Sequence, residues 1–165
     1  ASCINCFQYL RLRWNYATLD SFFPALYTKR KRRGDLNMFT DISKKLGFGC
    51  MRFPMVGEEV DLKAVSQMVD AFLDMGFNYF DTAHGYIDGK SEIALKHCLT
   101  SRYPRESYVL TNKLSGFHFK TQEEIRPLFE SQLAACGVEY FDFYLIHNVC
   151  EQNIEKYLGK RTNVC

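Results

Sequence analysis

Apolar residues along most of the chain recur in two alternating patterns. Continuous apolar runs, typical of buried strands, lie at 46–50, 77–81, 108–113 and 140–147. Between them, apolar residues spaced three and four apart predict helices with one buried face. The strands recur about every thirty residues, which is typical of successive βαβ units. The pattern therefore predicts an α/β protein with a parallel sheet of four such units at most.

Capping residues and glycines set the ends of the first predicted helices. Asp61 is an N-cap candidate, and Gly76 is expected to end the helix that follows it. Ser91 is predicted to cap a second helix that continues through Leu99. The apolar spacing at 154–158 indicates the start of a fourth helix near the end of the chain.

The third predicted helix carries two conflicting signals. Thr121 and Glu124 have the spacing of a capping box, and Gly137 is a typical stop. Pro127 lies inside the same pattern and lacks the backbone N–H that a helix interior needs. The helix therefore either bends at Pro127 or begins later than the capping box suggests.

Residues 1–37 follow neither pattern and carry a net charge of +5. They contain seven Lys or Arg residues against two Asp, including the basic run 29–33, in a chain with a net charge of +2. Such a run is either a nuclear-localisation or nucleic-acid patch or a solvated tail. Because the rest of the chain has a small acidic excess, we expect no nucleic acid and no membrane as partner. We expect 1–37 to be disordered or extraneous, Met38 to lie near the natural start, and 38–165 to form the functional domain.

Seven scattered cysteines bear on the compartment and on metal binding. Their number is odd and their spacing wide, which favours reduced thiols in a cytoplasmic protein over a disulfide framework. Only Cys3 and Cys6 lie close together, a weak signal for zinc or redox chemistry, so we expect no metal site. No stretch approaches the roughly 20 apolar residues that span a bilayer.

Ionisable residues end three of the four predicted strands. Asp81, Lys113 and His147 stand at the carboxyl ends of their strands, and Tyr86 lies in the loop after the second strand. Each has an ordinary explanation alone, such as a turn cap, a solvated side chain or a histidine at the edge of the core. Parallel strands bring their carboxyl ends to one rim, where α/β enzymes place their chemistry. Together the four residues therefore indicate a catalytic site.

Three segments around these residues resemble the aldo-keto reductase superfamily. They are 80–86 (FDTAHGY), 111–113 (TNK) and 142–148 (DFYLIHN), which carry the Asp, Tyr, Lys and His of that family in its order and approximate spacing. The first strand with its loop, 46–52, and the pair 91–92 are also similar. The resemblance covers about 38–160. It implies a (β/α)8 barrel of the TIM type, of which this chain has the N-terminal half, about the first four βα units.

The resemblance is closest to a bacterial branch of the superfamily whose members carry a C-terminal iron–sulfur segment. Segments 47–54 and 80–86 carry this finer likeness. The chain has no matching group of clustered cysteines. A 4Fe–4S cluster is therefore expected only in a full-length parent.

The resemblance implies hydride transfer between a nicotinamide cofactor and an aldehyde or ketone. Tyr86 would be the general acid that protonates the carbonyl oxygen. A close ammonium such as Lys113 favours the phenolate, and Asp81 would hold that ammonium charged and oriented. His147 would orient or polarise the carbonyl oxygen, so Tyr86 and His147 would also contact the substrate.

The cofactor, NADPH or NADH, would have only part of its site in this chain. Gly49, Cys50, Met51 and Asp81 match cofactor-side positions, and the other binding segments belong to the missing barrel half. We therefore expect the chain alone to be inactive. Open edges of a half barrel should also favour self-association. Substrate choice stays open, with 115–120 as the one sizeable loop that could line a pocket.

Two further functions stay open. Lys113 could instead form a Schiff base, since barrel aldolases also place a lysine at the end of a strand. Alternatively, the chain could be a non-catalytic interaction module related to aldo-keto reductases. The four matched site residues count against both alternatives, whereas the missing cofactor half counts for the second.

Overall fold

The computed structural model describes residues 10–12 and 41–158 of the chain. Its strands are β1 (Leu10–Leu12), β2 (Gly47–Gly49), β3 (Met55–Val56), β4 (Glu59–Val60), β5 (Tyr79–Asp81), β6 (Val109–Ser115) and β7 (Phe141–His147). Its α-helices are α1 (Leu62–Asp74), α2 (Lys90–Leu95), α3 (Ile125–Cys136) and α4 (Ile154–Leu158). Short helical turns lie at Tyr86–Gly89, Lys96–Thr100, Arg105–Ser107 and Gln122–Glu124.

Four strands form the predicted parallel sheet. They pair in the order β2, β5, β6, β7, and each is connected to the next through a helix. The first of these connections also contains the β3–β4 hairpin, which precedes α1. The predicted α/β class with a parallel sheet is confirmed. Since the strands run in one direction, their carboxyl ends lie along one edge of the sheet.

The outer edge of β7 is not open, contrary to the expectation for a half barrel. β1 pairs with it in antiparallel fashion, with Leu10 opposite Tyr144 and Leu12 opposite Phe141. The expectation that 1–37 is disordered or extraneous otherwise falls on residues outside the described part of the chain. The three residues of β1 are too few for a periodic signal, so the sequence pattern gave no strand there.

The core lies between the sheet and α1, α2 and α3. α1 begins at Leu62 because the Asp61 carboxylate accepts a hydrogen bond from the Ala64 N–H, at 3.0 Å. The helix buries a stripe of apolar side chains against the sheet, where an aromatic group including Phe48, Phe72 and Phe80 packs at ring distances of 5.2–5.4 Å.

The sequence predicted Ser91 as the N-cap of α2, and this prediction is wrong. The helix begins one residue earlier, at Lys90, and its cap position is occupied by Gly89. Ser91 is fully buried, donates a hydrogen bond to the Cys50 carbonyl at 2.8 Å, and lies 2.9 Å from the Thr82 hydroxyl. A serine that satisfies buried partners elsewhere cannot also cap its own helix.

The predicted capping box before α3 is also wrong. The Thr121 side chain caps no helix N–H, and the Glu124 carboxylate accepts from the Lys120 N–H instead. After a short 3₁₀ turn, α3 begins at Ile125, so Pro127 falls in its first turn, where a missing N–H costs no helical hydrogen bond. Of the two alternatives, the later start is the one observed. Gly137 ends the helix in the left-handed conformation.

Across the described ranges 10–12 and 41–158, no helix combines the length and the apolar character needed to cross a bilayer.

Candidate active site

The four residues predicted from the strand ends come together at the carboxyl edge of the sheet. Asp81 is the last residue of β5 and pairs with Thr111, two positions before Lys113 in β6. His147 is the last residue of β7 and pairs with Ser115. Since side chains alternate between the faces of a strand, the register places Asp81, Lys113 and His147 on one face.

The Lys113 ammonium is at the centre of this group. It donates to an Asp81 carboxylate oxygen at 2.5 Å, to the Thr82 carbonyl at 2.7 Å and to the Tyr86 hydroxyl oxygen at 3.1 Å. An ammonium group has three N–H donors, so every donor has an acceptor. The side chain is buried, and these contacts fix the direction of its ammonium group.

Tyr86 lies between Lys113 and His147. An ammonium cannot accept a hydrogen bond, so the Tyr86 oxygen must be the acceptor in their contact. The phenolic proton is therefore available to another group. The rings of Tyr86 and His147 meet edge to face, with their centroids 5.9 Å apart, so an acceptor between them would contact both residues.

The backbone just after Tyr86 is strained. Ile87 has φ +51° and Asp88 has φ +52°, in the left-handed region that side-chain-bearing residues seldom adopt. For the β-branched Ile87 this conformation is a true outlier. The turn that positions Tyr86 is therefore maintained by its surroundings and not by local preference.

His147 is held by its backbone and leaves its ring available. Its carbonyl accepts a hydrogen bond from the Tyr157 hydroxyl of α4, at 2.8 Å, and that hydroxyl accepts one from the Gly116 N–H. The ring atom Nδ1 is buried and has no hydrogen-bond partner among the residues that the structure describes. Burial, and next the positive charge of Lys113, lower the pKa of His147. The imidazole is thus neutral near pH 7.

A buried polar network lies behind the site, on the helix side of the sheet. Glu92 accepts hydrogen bonds from the His84 ring at 2.9 Å and from the Asn112 amide at 2.7 Å. Gln132 of α3 donates to the Asn112 side chain and to the Lys113 carbonyl, and accepts from the Tyr144 hydroxyl.

Sequence reasoning missed this network, although a signal was present. Leu95 and Leu99 are three and seven residues after Glu92, so all three lie on the same, buried side of the helical segment. Asn112 likewise alternates with buried Leu110 and Leu114 along β6. A polar residue among apolar ones on a core-facing stripe indicates a buried partner.

The residues predicted to contact a cofactor differ in accessibility. Gly49 and Met51 are exposed beside the end of β2, and a side chain added at Gly49 would meet open space. Cys50 is fully buried, its N–H bonds the Asp81 carbonyl, and its own carbonyl accepts from Ser91. Burial raises the pKa of the Cys50 thiol far above its usual range. The structure therefore leaves Cys50 without a free polar group, while Gly49 and Met51 line the open rim.

The loop after β6 divides into an exposed and a buried part. Phe117 is 78% exposed, whereas Phe119 is buried with its ring against Tyr157. The His118 ring meets the His84 ring edge to face at 4.8 Å, and partial burial lowers the pKa of His118. Phe117 and His118 are thus the loop residues that face solvent near the site.

Among residues 41–158 and the strand 10–12, no group of three His, Cys, Asp or Glu side chains could hold a metal ion. The described cysteines Cys50, Cys98, Cys136 and Cys150 are free thiols.

The sequence matches a known protein family over most of its described part. The profile of the aldo/keto reductase family matches residues 45–156. A 4-dihydromethyl-trisporate dehydrogenase of Mucor mucedo is 31% identical over 118 residues, which are 68% of this chain and 33% of the relative. Aldo-keto reductase family 1 member C3 of Homo sapiens is 32% identical over 107 residues, which are 62% of this chain and 31% of the relative.

The chain spans about a third of the length of these curated relatives. The fold is similar to the crystal structure of a Klebsiella pneumoniae aldo-keto reductase in complex with NADPH (TM-score 0.52, 23% identity, 70% of this chain and 42% of that chain). It is also similar to the holo form of the aldo-keto reductase AKR11C1 from Bacillus halodurans (TM-score 0.50, 27% identity, 60% of this chain and 34% of that chain). The parallel sheet thus matches part of these barrel structures, and the matched segment carries all four clustered site residues. From its sequence match, its fold and this site, the chain belongs to the aldo/keto reductase family.

Proposed function

We propose that this chain supplies the proton-transfer residues of a nicotinamide-dependent oxidoreductase that acts on an aldehyde or ketone, with Tyr86 as general acid. The observation that supports it is the set of three hydrogen bonds from the Lys113 ammonium, one of which is accepted by the Tyr86 hydroxyl. The chain is a fragment by comparison with its relatives, so this activity is proposed for a polypeptide that also contains the rest of the barrel.

The residues present fit the reactive end of a nicotinamide cofactor. The rim beside Gly49 is open, and the buried Nδ1 of His147 has no partner within the described part of the protein. An exposed strand end beside Gly49 leaves room for a ligand, and an unpaired polar atom at His147 is typical of a site that binds polar groups. Gly49 and Met51 would contact the cofactor, Asp81 would act through Lys113, and Cys50 would contribute backbone shape only. NADPH or NADH, when bound, supplies the hydride.

Tyr86 would provide the proton that the reduced carbonyl oxygen needs. Because its oxygen accepts from Lys113, its hydrogen is available to a substrate oxygen on the open side of the ring. The positive charge of Lys113 stabilises the phenolate left behind, and Asp81 keeps that charge in place. A positioned general acid of this kind contributes about 10²- to 10⁴-fold to a rate.

His147 would bind the same substrate oxygen. The lowered pKa of its ring leaves it neutral, so one ring nitrogen can donate a hydrogen bond without competing for the proton that Tyr86 transfers. The edge-to-face arrangement with Tyr86 supports a shared acceptor between the two residues. The substrate class is therefore a small molecule with an exposed carbonyl group.

Lys113 is poorly placed for the alternative Schiff-base chemistry. A lysine attacks a carbonyl through the lone pair of its neutral amine. Here all three N–H donors of the ammonium group are engaged by Asp81, Thr82 and Tyr86, so the nitrogen presents no lone pair to a carbonyl carbon. We therefore place Lys113 as an electrostatic partner of Tyr86 and not as a nucleophile.

The proposal also includes a cytoplasmic location, which the free thiols at the described cysteines support. The finer resemblance to the branch with an iron–sulfur segment stays a prediction for a longer parent protein. Its test is whether the complete gene encodes clustered cysteines after the barrel.

The test is carbonyl-dependent oxidation of NADPH or NADH, measured on this chain and on the product of its complete gene. We expect turnover in the complete product, a loss of at least 100-fold in Tyr86→Phe, and nearly unchanged cofactor affinity. Tyr103→Phe is the matched control, because Tyr103 loses only a hydroxyl that contacts Asp70 away from the site. Unchanged turnover in Tyr86→Phe would sink the assignment, and no turnover in any form would favour the interaction module.

A further inference from the structure

We propose that Glu92 is a positioning residue that holds the loop carrying Tyr86 against the strand carrying Lys113. This inference rests on the proposed function, since it concerns the geometry of the proposed acid and its cationic partner. Glu92 contacts neither residue directly. Its side chain is 1% exposed and lies on the helix side of the sheet, opposite the face that carries Lys113.

The two carboxylate oxygens of Glu92 bind two different elements. One accepts from Nδ1 of His84 at 2.9 Å, and the other accepts from the Asn112 amide at 2.7 Å. His84 lies in the loop two residues before Tyr86, and Asn112 immediately precedes Lys113 in β6. One buried side chain therefore bridges the backbone that carries the proton donor and the backbone that carries its ammonium partner.

The strand end of this bridge is tied down by further hydrogen bonds. The Asn112 side-chain oxygen accepts from the Lys113 N–H at 2.8 Å and from Gln132 at 3.1 Å. Gln132 also donates to the Lys113 carbonyl at 3.1 Å. The backbone of Lys113 is thus held from the helix side by the amides of Asn112 and Gln132, and Glu92 holds the first of these.

The loop end needs such a bridge because its own conformation is unfavourable. Ile87 and Asp88, directly after Tyr86, have φ near +50°, a conformation that persists only where surrounding contacts impose it. On the other side of the loop, Thr82 is anchored through its hydroxyl to Ser91. Between these points, the His84 ring is the side chain that ties the loop to the core through Glu92.

A carboxylate suits this role better than a neutral group. Charge-assisted hydrogen bonds are shorter and about twice as strong as neutral ones. The His84 side chain, which is paired with Glu92, is about one-third exposed. Through His84, the pair with the buried carboxylate therefore reaches solvent. Replacing His84 would therefore free the loop without removing a fully buried side chain.

The experiment measures how fast an amine-reactive reagent modifies Lys113, resolved by mass spectrometry of the intact folded chain. In the wild type the Lys113 ammonium has three acceptors and is buried, so its modification is slow. If the Tyr86 loop is released, one of these acceptors, the Tyr86 hydroxyl, moves away, whereas Thr82 stays anchored to Ser91. We expect His84→Ala to raise the Lys113 rate at least 5-fold and Glu92→Ala at least 10-fold. The rate at exposed Lys63 should stay constant.

Conservative variants separate positioning from general stability. His84→Asn keeps an N–H donor near the place of Nδ1, so it should return the Lys113 rate to within 2-fold of wild type. Glu130→Ala removes an exposed carboxylate paired with Arg126 and should change nothing at Lys113. If Glu92→Ala fails to fold, the two His84 variants still decide the question.

An unchanged Lys113 rate in His84→Ala overturns the inference, as does an equal rise at Lys113 and Lys63. The measurement needs neither cofactor nor turnover. The expected labelling, together with no reductase activity in the product of the complete gene, keeps the positioning role and refutes the proposed function. Reductase activity together with unchanged labelling in His84→Ala keeps the proposed function and refutes the positioning role.

Discussion

Lys113 is the residue on which the site depends most, because its ammonium group contacts three residues at the end of β5 and in the loop that follows. The Asp81 carboxylate, the Thr82 carbonyl and the Tyr86 hydroxyl use all of its donors. A buried ammonium without such acceptors would be costly. The same contacts that stabilise the charge also fix the position of the Tyr86 hydroxyl.

Replacing Lys113 by methionine should lower the free energy of unfolding by about 1–3 kcal/mol, since a charged hydrogen-bonding partner is lost and Asp81 is left unpaired. The partial exposure of the Asp81 side chain, 29%, keeps this cost below that of a fully buried pair. Urea unfolding measures the effect. The double variant Lys113→Met with Asp81→Asn should recover part of the loss, and an additive loss would contradict the pairing.

The lowered pKa of the buried His147 ring predicts that the stability of the fold depends on pH. The pKa of its ring is lowered by burial first and by Lys113 next, so the folded chain binds its proton less readily than the unfolded chain does. Stability should therefore fall as the pH drops below about 6.5, the ordinary histidine value, towards the lowered value. Urea midpoints at pH 7.5 and 5 should differ less in His147→Gln than in the wild type.

The exposed His97 provides the control for that measurement. His97→Gln removes an imidazole from the turn Lys96–Thr100, away from the site, and should leave the pH dependence as in the wild type. His118 has a lowered pKa as well, so its contribution has the same sign. Equal pH dependence in His147→Gln and the wild type would contradict the burial of the ring.

The strand-end residues could be predicted from the sequence because a polar residue at the end of an apolar strand is conspicuous. Asp81, Lys113 and His147 all stand there, and Tyr86 follows in the adjoining loop. Their roles stay a prediction until variants are assayed. The network through Glu92 was not predicted, because a polar side chain on a helix is normally assigned to the solvent-exposed face. Only its helical spacing from the buried Leu95 and Leu99 indicates that Glu92 faces the core.

At the scale of elements, the short α4 supports the site although it carries none of its residues. Tyr157 of α4 donates to the His147 carbonyl and accepts from the Gly116 N–H, so one hydroxyl joins the ends of β6 and β7. Gly116 permits this approach because a side chain there would lie 2.7 Å from the Tyr157 oxygen. The helix thereby aligns two neighbouring loops.

Tyr157→Phe should cost about 2 kcal/mol of unfolding free energy, because it leaves one backbone donor and one acceptor without their partner. The NMR signals of the His147 ring should shift in the same variant, since its backbone anchor is gone. Tyr103→Phe, which loses a hydroxyl near the surface, should cost about 0.5 kcal/mol and leave those signals in place. A Tyr157→Phe protein with unchanged stability and unchanged signals would rule out the clamp.

Most long elements were predictable and the short ones were not. The four parallel strands lie in apolar runs of five to eight residues, α1 shows clear helical periodicity, and the apolar spacing at 154–158 indicated α4. The β3–β4 hairpin has two residues in each strand, too few for any period to register. The ends of α2 and α3 were misassigned because Ser91 and Thr121 are good caps by composition but have other or no helix partners in the folded chain.

For the whole molecule, the sheet edges matter most. β1 covers the outer edge of β7, and within the described residues no strand pairs with the outer edge of β2. An open strand edge favours pairing with another chain. Self-association therefore stays a prediction, now directed at the β2 side of the sheet.

Sedimentation velocity over a range of concentrations tests this prediction. We expect concentration-dependent association of the wild type, weakened several-fold by Leu46→Lys, because a charge beside an edge strand opposes pairing. Ile93→Lys is the matched control, since Ile93 is equally exposed but lies on α2. A monodisperse monomer at all concentrations, or equal effects of the two lysines, would refute association through this edge.

The fold class was predictable because alternation of strands and helices at a constant spacing extends along most of the chain. The pairing of β1 with β7 was not, since it joins three residues near one end of the chain to a strand near the other. Such a contact leaves no local signature in either segment.

The strained turn after Tyr86 has a consequence for which substitutions the chain tolerates. Asp88 is exposed and has φ +52°, a conformation that glycine and asparagine adopt readily and β-branched residues do not. In a saturation library selected only for folding, position 88 should be enriched in Gly and Asn and depleted in Val and Ile. Position 87 should resist the same exchange, because Ile87 packs against the core and its side chain is needed there. Neighbouring positions with the same backbone conformation are thus expected to follow different substitution rules.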